Sequence, residues 1–551
     1  MQRAHRVTDP GEGGDSGCHR QARIARYRVP VIFGTSGLFP PPVRLSFHSL
    51  FPTVIMNKNL LITLCSLFIP VLAAWPQARV DSLHWEASLT AEAGSGEFAP
   101  FWFSSNTYGM GSIKPNNIRL EAGIYKDMRR DNRWSWGAGL ELAGGIAQQQ
   151  AFHIQQAYAE IRYRCLDLMV GQKEIPGYGV DPELSSGNPL FSNNAMPIPQ
   201  VRAGIFDYAD VWGTRGWLGI KGYLCYGKFT DNRWLRNWVE DGAYPQGILF
   251  HSKGLWLRNG NAEKFPLVFE AGIEMATQFA GEAWYWNSDR TELLHIKAPS
   301  GLKSFWKALV PMSGDESTVA GEQVNVQGNF IGTWSYVLSW NPKADWSLKA
   351  YYLHMFEDHS MLYIEYPWKD GLYGVEATLP KNRWVSRVVG EFLYTKDQTG
   401  PILWDKTDKI PVQISGNDYY YAHYIYGAWQ NWGRIIGNPL VLSPIYNSSH
   451  SLTPRSNRLW ALNLGLTGNP TDELAYRLRL TYSRNWGSYH IPLPEVEDCF
   501  SMLAEIKWRP QSIRALRGWE GSLSIGADGG DMPGNSFGMR LSVSRTGLIR
   551  F

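Results

Sequence analysis

Two pairs of residues carry side chains of the kind used in acid–base or hydrolytic chemistry. His153 and Glu160 lie seven positions apart, and His251 is followed directly by Ser252. On an extended strand successive side chains point to opposite sides, so an odd spacing would separate His153 from Glu160. His251 and Ser252 lack a Gly-X-Ser-X-Gly motif and a partner acid at a telling spacing, and hydrolase triads are defined by geometry rather than adjacency. We therefore predict no catalytic site and no enzyme activity.

The cysteines give no sign of a metal centre. Cys165, Cys225 and Cys499 remain once the first 73 residues are set aside, and they show neither CxxC nor zinc-ligand spacing. Neither a disulfide framework nor a zinc site is predicted, and no cofactor is expected. One bridge among the three is left open by the sequence.

A second possible start of translation lies inside the chain. Met56 opens a charged, then apolar, then small-residue stretch that ends at Ala73, which is the pattern of a secretory signal peptide. We predict a signal peptide over 56–73, cleaved near Ala73, and a single folded domain over 74–551. Residues 1–55 are interpreted as unstructured sequence upstream of the true start, with a genuine N-terminal extension as the alternative.

The charge of the chain does not point to a nucleic-acid partner. The whole chain carries a formal charge of +3, but its first 73 residues hold eight basic and three acidic side chains, so the remainder is close to neutral. Binding of nucleic acid needs a basic patch on the mature chain, and none is predicted. With 44% hydrophobic and 14% aromatic residues, disorder is also excluded for most of the chain.

The dominant pattern after the leader is strict alternation of apolar and polar residues. No apolar run approaches the roughly 18 to 20 residues that a spanning helix needs. Alternation over about ten residues is typical of membrane β-strands. It occurs at 83–91, 118–124, 134–142, 267–275, 330–340, 346–352, 460–466, 476–482, 519–525 and 537–543. We predict an all-β fold, an outer-membrane barrel of about 16–18 antiparallel strands, with a soluble β-sandwich or propeller as the alternative.

Segments without alternation are predicted to be long loops. They cover 174–215, 230–262, 284–328 and 397–457. The third contains Ser300, a candidate helix N-cap, followed by apolar residues at helical spacing up to Leu309. A short amphipathic helix is expected there, placed so that it plugs or gates the barrel.

Several segments resemble the Wzi family of outer-membrane capsule-assembly proteins. Their order and spacing cover most of the mature chain, although each motif is weak by itself. The segments are 153–160 (HIQQAYAE), 170–174 (VGQKE), 184–188 (LSSGN), 192–199 (SNNAMPIP), 221–222 (KG), 226–229 (YGKF), 251–253 (HSK), 416–420 (GNDYY), 433–434 (GR) and 437–440 (GNPL).

The resemblance implies an outer-membrane barrel with a helical plug, a surface lectin that holds capsular polysaccharide to the cell without catalysis. The implied partners are capsular polysaccharide and outer-membrane lipid. The alternating segment 537–543 and the final Phe551 are typical of a last strand that outer-membrane assembly machinery recognises during insertion. An outer-membrane porin or substrate-specific channel is the alternative, since a barrel this wide could hold water.

Sugar binding relies on aromatic faces that stack on C–H surfaces and on planar polar groups that reach hydroxyls or acidic substituents. The predicted non-strand segments supply both kinds of side chain. The same residues could instead form an interface girdle, loop core or solvated charges. The candidates are Trp212, Trp234, Trp238, Tyr244, Trp284, Trp286, Trp429, Trp432, Arg215, Lys253 and Arg434.

Overall fold

A computed structural model describes residues 82–551, except 130–131, 241, 287–290, 316–317, 319–325, 344, 358–367, 381, 405–413 and 418. Arg79–Phe551 forms one compact unit. The predicted upstream extension (1–55) and signal peptide (56–73) lie outside the described residues, and they stay predictions. None of the helices within the described ranges is long and apolar enough to cross a membrane.

Eighteen strands among the described residues form one closed antiparallel barrel, in which each strand pairs with its neighbours in the chain. This confirms the predicted fold and strand number. The strands are β1 Ser82–Gly96, β2 Asn117–Lys126, β3 Trp134–Ile146, β4 Phe152–Tyr163, β5 Leu166–Gln172, β6 Gln200–Asp210, β7 Leu218–Lys228, β8 Leu249–Asn259, β9 Leu267–Phe279, β10 Asn329–Lys343, β11 Trp346–Glu357, β12 Gly371–Thr378, β13 Arg387–Tyr394, β14 Leu459–Gly468, β15 Leu474–Gly487, β16 Pro492–Trp508, β17 Trp519–Gly530 and β18 Ser536–Arg550.

The first and last strands close the barrel. Their register runs without interruption from Ser82 opposite Arg550 to Gly96 opposite Ser536. The apolar alternation seen in the sequence stops at Arg545, but the strand itself continues past this residue. Closure leaves no unpaired sheet edge, which is the usual way in which an antiparallel sheet of this width avoids edge-to-edge association.

The two faces of the wall have opposite composition. Apolar side chains such as Leu89, Leu120 and Leu541 point outward and are exposed, whereas the polar side chains next to them point into the lumen and are buried. In a protein surrounded by water the reverse is expected, because burying apolar area is the main favourable term in folding. The wall is therefore built for an apolar exterior.

The connections at the two ends of the barrel differ in length. One end carries the short turns, such as 164–165 between β4 and β5. The other end, called the loop end below, carries the long connections 97–116, 173–199, 229–248, 280–328 and 395–458.

Three of these long connections turn inward and fill the lumen. Together, the segments 97–116, 173–199 and 419–458 are called the plug below. It contains little regular structure: a helix α1 (Phe101–Ser104), a 3-10 turn (Pro444–Tyr446) and the two-residue strands Ala422–His423, Gly427–Ala428, Gln430–Asn431 and Arg434–Ile435. Buried plug residues and lumen-facing wall residues such as Phe250 and Leu503 form a single hydrophobic cluster.

The plug segments are joined by side chains of one segment that donate hydrogen bonds to backbone carbonyls of another. The Trp429 indole donates to the Leu190 carbonyl at 3.0 Å, and the Asn194 side-chain amide donates to the Ile435 carbonyl at 2.9 Å. Arg434 donates to the Ser104 carbonyl at 2.9 Å. These bonds give hydrogen-bond partners to carbonyls that are buried inside the barrel.

Charged wall residues hold the plug in place. The Glu391 carboxylate on β13 accepts hydrogen bonds from the Ser185 hydroxyl (2.5 Å) and the Ser186 backbone amide (2.6 Å). Arg479 on β15 donates to the Ser185 carbonyl at 2.7 Å, and its guanidinium lies 3.4 Å from the Trp102 ring centroid. Hydrogen bonds to ionised groups are stronger than neutral ones, so these contacts fix the plug firmly to the wall.

The remaining elements are the helices α2 (Asn232–Trp238) and α3 (Leu302–Leu309), a 3-10 turn (Arg514–Leu516), and the strands Tyr244–Gln246, Glu282–Trp286, Leu293–Lys297, Thr399–Trp404 and Ile414–Asn417. The predicted helix in the third loop is thus present, but its N-cap is Gly301 rather than Ser300. It also packs against outward-facing wall residues, Tyr226 and Phe279, so it does not plug the lumen.

Two strands of the barrel lie inside segments that the sequence predicts as loops. β6 falls within 174–215 and β8 within 230–262. In β6 the pairing register shifts between Ile205 and Ala209, which breaks the alternation. In β8 the outward positions His251 and Lys253 are polar because other parts of the chain cover them, so the apolar pattern fails there.

Candidate functional site

Helix α2 presents two indole rings at the loop end. Trp234 and Trp238 are one helical turn apart, so they share a face, and their rings stack with centroids 5.0 Å apart and planes at 15°. Trp432 of the plug lies 6.4 Å from Trp234, and His450 lies 5.1 Å from Trp238. Gly433, with φ of +74°, leaves the space that the Trp234 ring occupies, and a Cβ at this position would clash with the ring.

A second aromatic stack lies on a small three-stranded sheet. Its strands, Tyr244–Gln246, Glu282–Trp286 and Leu293–Lys297, place Tyr244, Trp284 and His295 side by side. The Tyr244 and Trp284 rings are stacked at 5.5 Å and 12°, and Trp284 and His295 at 4.7 Å and 20°.

The two stacks are neighbours on one surface. The strand bearing Tyr244 follows α2 in the chain, and the Gly247 amide donates to the Asn232 side chain at 2.8 Å. The sheet is also joined to the plug, because the Tyr424 hydroxyl donates to the Tyr285 hydroxyl at 2.8 Å. We call the surface formed by Trp234, Trp238, Tyr244, Trp284, His295, Trp432 and His450 the rim patch.

Polar groups accompany the aromatic rings of the rim patch. The His450 ring nitrogen lies 2.9 Å from the Glu240 carboxylate, and that of His295 lies 3.1 Å from the Glu282 carboxylate. Arg233 of α2 is exposed. Half-buried rings next to exposed carboxylates and a guanidinium are the combination that binds carbohydrate rings and their hydroxyls.

A buried carboxylate, that of Asp231, is hydrogen-bonded to the plug segment that carries Trp432 of the rim patch. Asp231 accepts hydrogen bonds from the Trp432 backbone amide at 3.1 Å and from the Gln430 side chain at 3.3 Å. Burial raises the pKa of Asp231 to about 6, and the hydrogen bonds offset only part of this effect. Asp231 thus joins the start of α2 to the plug segment that carries Trp432.

Two of the predicted sugar-binding residues lie in the core of the plug. The Trp429 side chain is fully buried, and its indole N–H is bonded to the Leu190 carbonyl. Arg434 is also buried, with its guanidinium bonded to backbone carbonyls of residues 104 and 111. Neither side chain reaches the surface, so both are assigned to plug packing rather than to ligand contact.

The other predicted residues outside the patch are scattered. Trp212, 98% exposed, and Arg215 lie in the turn between β6 and β7, at the end of the barrel opposite the patch. Lys253 points outward from β8 and donates to the Ala308 and Leu309 carbonyls at the end of α3. Trp286 ends a described strand, but its side chain lies outside the described part of the structure.

The residue pairs considered for catalysis are not assembled into a site. A β-bulge at Gln155 brings His153 and Glu160 to the same, lumen-facing side, which corrects the separation predicted from their spacing. They nevertheless have different partners: His153 lies 3.2 Å from Gln155, and Glu160 pairs with Lys173 at 2.8 Å.

His251 and Ser252 point to opposite sides of β8. The His251 ring bonds the Cys225 carbonyl at 2.8 Å, and the Ser252 hydroxyl lies 2.9 Å from the Cys225 sulfur. Cys165, Cys225 and Cys499 are free thiols, so the bridge left open by the sequence is not formed. Within the described ranges, no three His, Cys, Asp or Glu side chains are grouped so that they could hold a metal ion.

Sequence reasoning missed the histidines and two tyrosines of this surface. His295 stacks on Trp284, the His450 ring lies tilted against Trp238, and Tyr285 and Tyr424 join the sheet to the plug. The run Trp284-Tyr285-Trp286 alternates with the sheet period, which could have identified a strand with Trp284 and Tyr285 on opposite faces. Nothing in the sequence signals the position of His450.

Comparison with solved structures places the fold. The chain resembles Wzi of Escherichia coli, described as an outer-membrane protein involved in group 1 capsule assembly and a carbohydrate-binding β-barrel, with a TM-score of 0.52 and 12% identity over 90% of this chain and 88% of that one. This similarity confirms the barrel fold. Pseudomonas aeruginosa OccK5 (TM-score 0.42, 10% identity, 85% and 98% covered) and OprD (0.42, 9%, 85% and 96%) are also similar. No family model and no curated protein sequence matches the chain.

Proposed function

We propose that this protein is an outer-membrane β-barrel that binds capsular polysaccharide at the cell surface, without covalent chemistry and without a cofactor. The observation that carries the proposal is the rim patch: two aromatic stacks with adjacent charged groups, built from the long loops at the end of the barrel that the plug fills. The named function of the E. coli protein of similar fold agrees with this reading.

The outer surface of the wall supports a membrane location. Large apolar side chains on all parts of the barrel point outward and are exposed. Contiguous apolar surface of this extent is not found on soluble monomers. A closed sheet satisfies every backbone hydrogen bond internally, so it can lie in hydrocarbon. Insertion would follow recognition of β18 by the outer-membrane assembly machinery, after export by the predicted signal peptide.

The plug supports binding rather than conduction. A porin of this width needs an open aqueous lumen, whereas here buried apolar plug residues pack directly on lumen-facing residues such as Phe250 and Leu503. The plug is also bonded to ionised wall residues, including Glu391 and Arg479. Conductance of the purified protein in planar bilayers should therefore stay at the background level, and stable channel openings would favour the alternative function of a channel.

Binding should depend on the rim patch and not on exposed tryptophan in general. We expect the double variant Trp234→Ala/Trp284→Ala to bind capsular polysaccharide from the source bacterium at least tenfold more weakly, because each stacked ring contributes about 1 kcal/mol and 1.4 kcal/mol is a factor of ten. Trp212→Ala is the matched control, since Trp212 is exposed at the opposite end. Biolayer interferometry with immobilised polysaccharide measures both, and equal affinities for both variants would overturn the proposal.

The same variants test the role in cells. In a strain that lacks the gene, a copy starting at Met56 should restore cell-bound polysaccharide, and the double variant should leave the polymer synthesised but released into the medium. Unchanged retention in the deletion strain would remove the anchoring role, whereas failure of the Met56 copy alone would overturn only the predicted start.

A further inference from the structure

Helix α3 lies on the outside of the barrel wall, at the loop end. Phe305 packs on outward-facing Tyr226 and Phe279, with ring centroids 5.4 and 5.2 Å apart. Tyr226 donates its hydroxyl proton to the Phe305 carbonyl at 2.9 Å. Lys253, also outward-facing, donates to carbonyls at the helix C-terminus, where a cation interacts favourably with the helix dipole. The helix is therefore docked on the wall and not suspended in a free loop.

The other side of this helix is apolar, and its large side chains are exposed. Leu302 is 89% exposed and Trp306 59% exposed, and they lie one helical turn apart on a single edge. Val310 and Met312, just after the helix, are also exposed. The charged residues occupy a different side, where Lys303 and Lys307 pair with Asp315 at 2.8 and 3.1 Å.

The C-terminal end of α3 adjoins the apolar exterior of the barrel. On β8, Lys253 lies two residues from outward-facing Leu255, which corresponds to about 6.6 Å along a strand. An apolar groove of about 460 Å³ on the outer wall is lined by Leu224, Leu255 and Met275, and it reaches Lys253, the residue that holds the end of α3. The end of α3 thus lies next to the apolar outer wall, and the exposed Leu302 and Trp306 belong to the same short helix.

We propose that α3 lies in the boundary of the outer lipid leaflet and contacts acyl chains through Leu302 and Trp306. Tryptophan is enriched at such boundaries because its ring is amphipathic, and Lys303 on the neighbouring side can extend to the headgroups. The helix would act as an interfacial anchor that fixes the position of the loop end, and with it the rim patch, relative to the membrane surface. This inference rests on the membrane location proposed above.

Depth-dependent quenching tests this placement. Single cysteines at Leu302, Trp306, Lys303 and Leu541 would be labelled with bimane in full-length protein. The exposed Cys165 would be removed by Cys165→Ser, and the leader cysteines by Cys18→Ser and Cys65→Ser. The protein would be reconstituted in phosphatidylcholine vesicles whose acyl chains carry bromine near the headgroup. The Leu541 label would also be measured in a second set of vesicles with bromine near the bilayer centre, and absence of quenching at this position means absence in both sets. We expect at least twofold more quenching at positions 302 and 306 than at 303, the matched control on the same helix.

The Leu541 label separates the two possible failures, because Leu541 faces outward on β18, far from α3. Quenching at 541 with no difference between 303 and the pair 302 and 306 would overturn the helix placement and leave the membrane location standing. Absence of quenching at 541 would overturn the membrane location and the helix proposal together.

Discussion

The outer and inner faces of strand β18 show how one strand meets two different environments. Leu541 points outward and is 56% exposed, whereas Arg540, the residue before it, points into the lumen and is 9% exposed. Arg540 pairs with Glu92 on β1 at 2.7 Å and also donates to the Phe103 carbonyl of the plug. Leu541 has no comparable partner among the residues that the structure describes.

A polar side chain therefore occurs in this wall where a hydrogen-bonding or charged group contacts it, and burial alone does not decide whether a position is polar. Lumen-facing charges are buried because ionised or hydrogen-bonding partners meet them, as Glu92 and Phe103 meet Arg540. Outward positions carry side chains that need no polar partner. Substitutions on both faces should therefore lower the stability of the fold: removing a charge in the lumen leaves its partner unpaired, and adding a charge outside places it without a partner.

The largest effect is expected for Arg540→Ala. The substitution leaves the Glu92 carboxylate buried without its cation, which typically costs about 3–5 kcal/mol. Urea unfolding of the protein in vesicles, followed by electrophoretic mobility without heating, measures the free energy of unfolding. The double variant Arg540→Ala/Glu92→Gln is the control and should recover part of the loss. A single variant within 1 kcal/mol of the unchanged protein would contradict the role given to this pair.

A somewhat smaller effect is expected for Leu541→Arg. Arginine on the lipid face of a barrel costs about 2–4 kcal/mol near the bilayer midplane and less near the interfaces. The same unfolding assay applies, and Leu541→Met serves as the control because it keeps the side chain apolar. If Leu541→Arg is as stable as Leu541→Met, the outer face at this position does not lie in hydrocarbon.

The smallest effect concerns Asp231, a buried carboxylate whose partners are all neutral. Because the pKa of Asp231 is raised from 3.8 to about 6, the folded protein keeps this proton at pH values where the unfolded chain has lost it. Stability should therefore fall as pH rises from about 4 to about 6 and level off above that, by at most about 3 kcal/mol at 1.36 kcal/mol per pKa unit.

Asp231→Asn removes the ionisation and keeps an oxygen that can accept from Trp432 and Gln430. Its free energy of unfolding, measured across the same pH range, should lack this component of the decline. A decline equal to that of the unchanged protein would assign the pH dependence to other groups.

Much of the barrel could be predicted from the sequence because lipid-facing strands carry the strongest pattern. Alternation at segments such as 83–91 and 537–543 depends only on the outward face being apolar and the inward face polar. β8 was missed because its outward His251 and Lys253 are covered by protein, His251 next to Tyr226 and Lys253 next to the end of α3, so these positions no longer need to be apolar. The predicted plug helix was misplaced because amphipathicity shows that a helix lies at a boundary, but not at which one.

The rim patch was only partly predictable. The spacing of Trp234 and Trp238 fits one helical face, and Tyr244 and Trp284 lie in segments predicted as loops. Trp429 and Arg434 are also an aromatic and a planar charged residue in a segment predicted as a loop. They are nevertheless buried among plug residues that are distant in sequence. Which aromatic residues reach the surface depends on how three loops fold against one another, and no local pattern encodes that.

The construction of the plug has a mechanical consequence. Each of its three segments belongs to a connection between two neighbouring wall strands, so the chain joins each segment to the wall on both sides, and the segments are also hydrogen-bonded to one another. A plug domain attached by one linker can leave the lumen as a rigid body. A plug formed by three connections between wall strands cannot leave in this way. A pulling force on a polymer bound at the rim patch would therefore be shared by several pairs of hydrogen-bonded wall strands in the closed barrel.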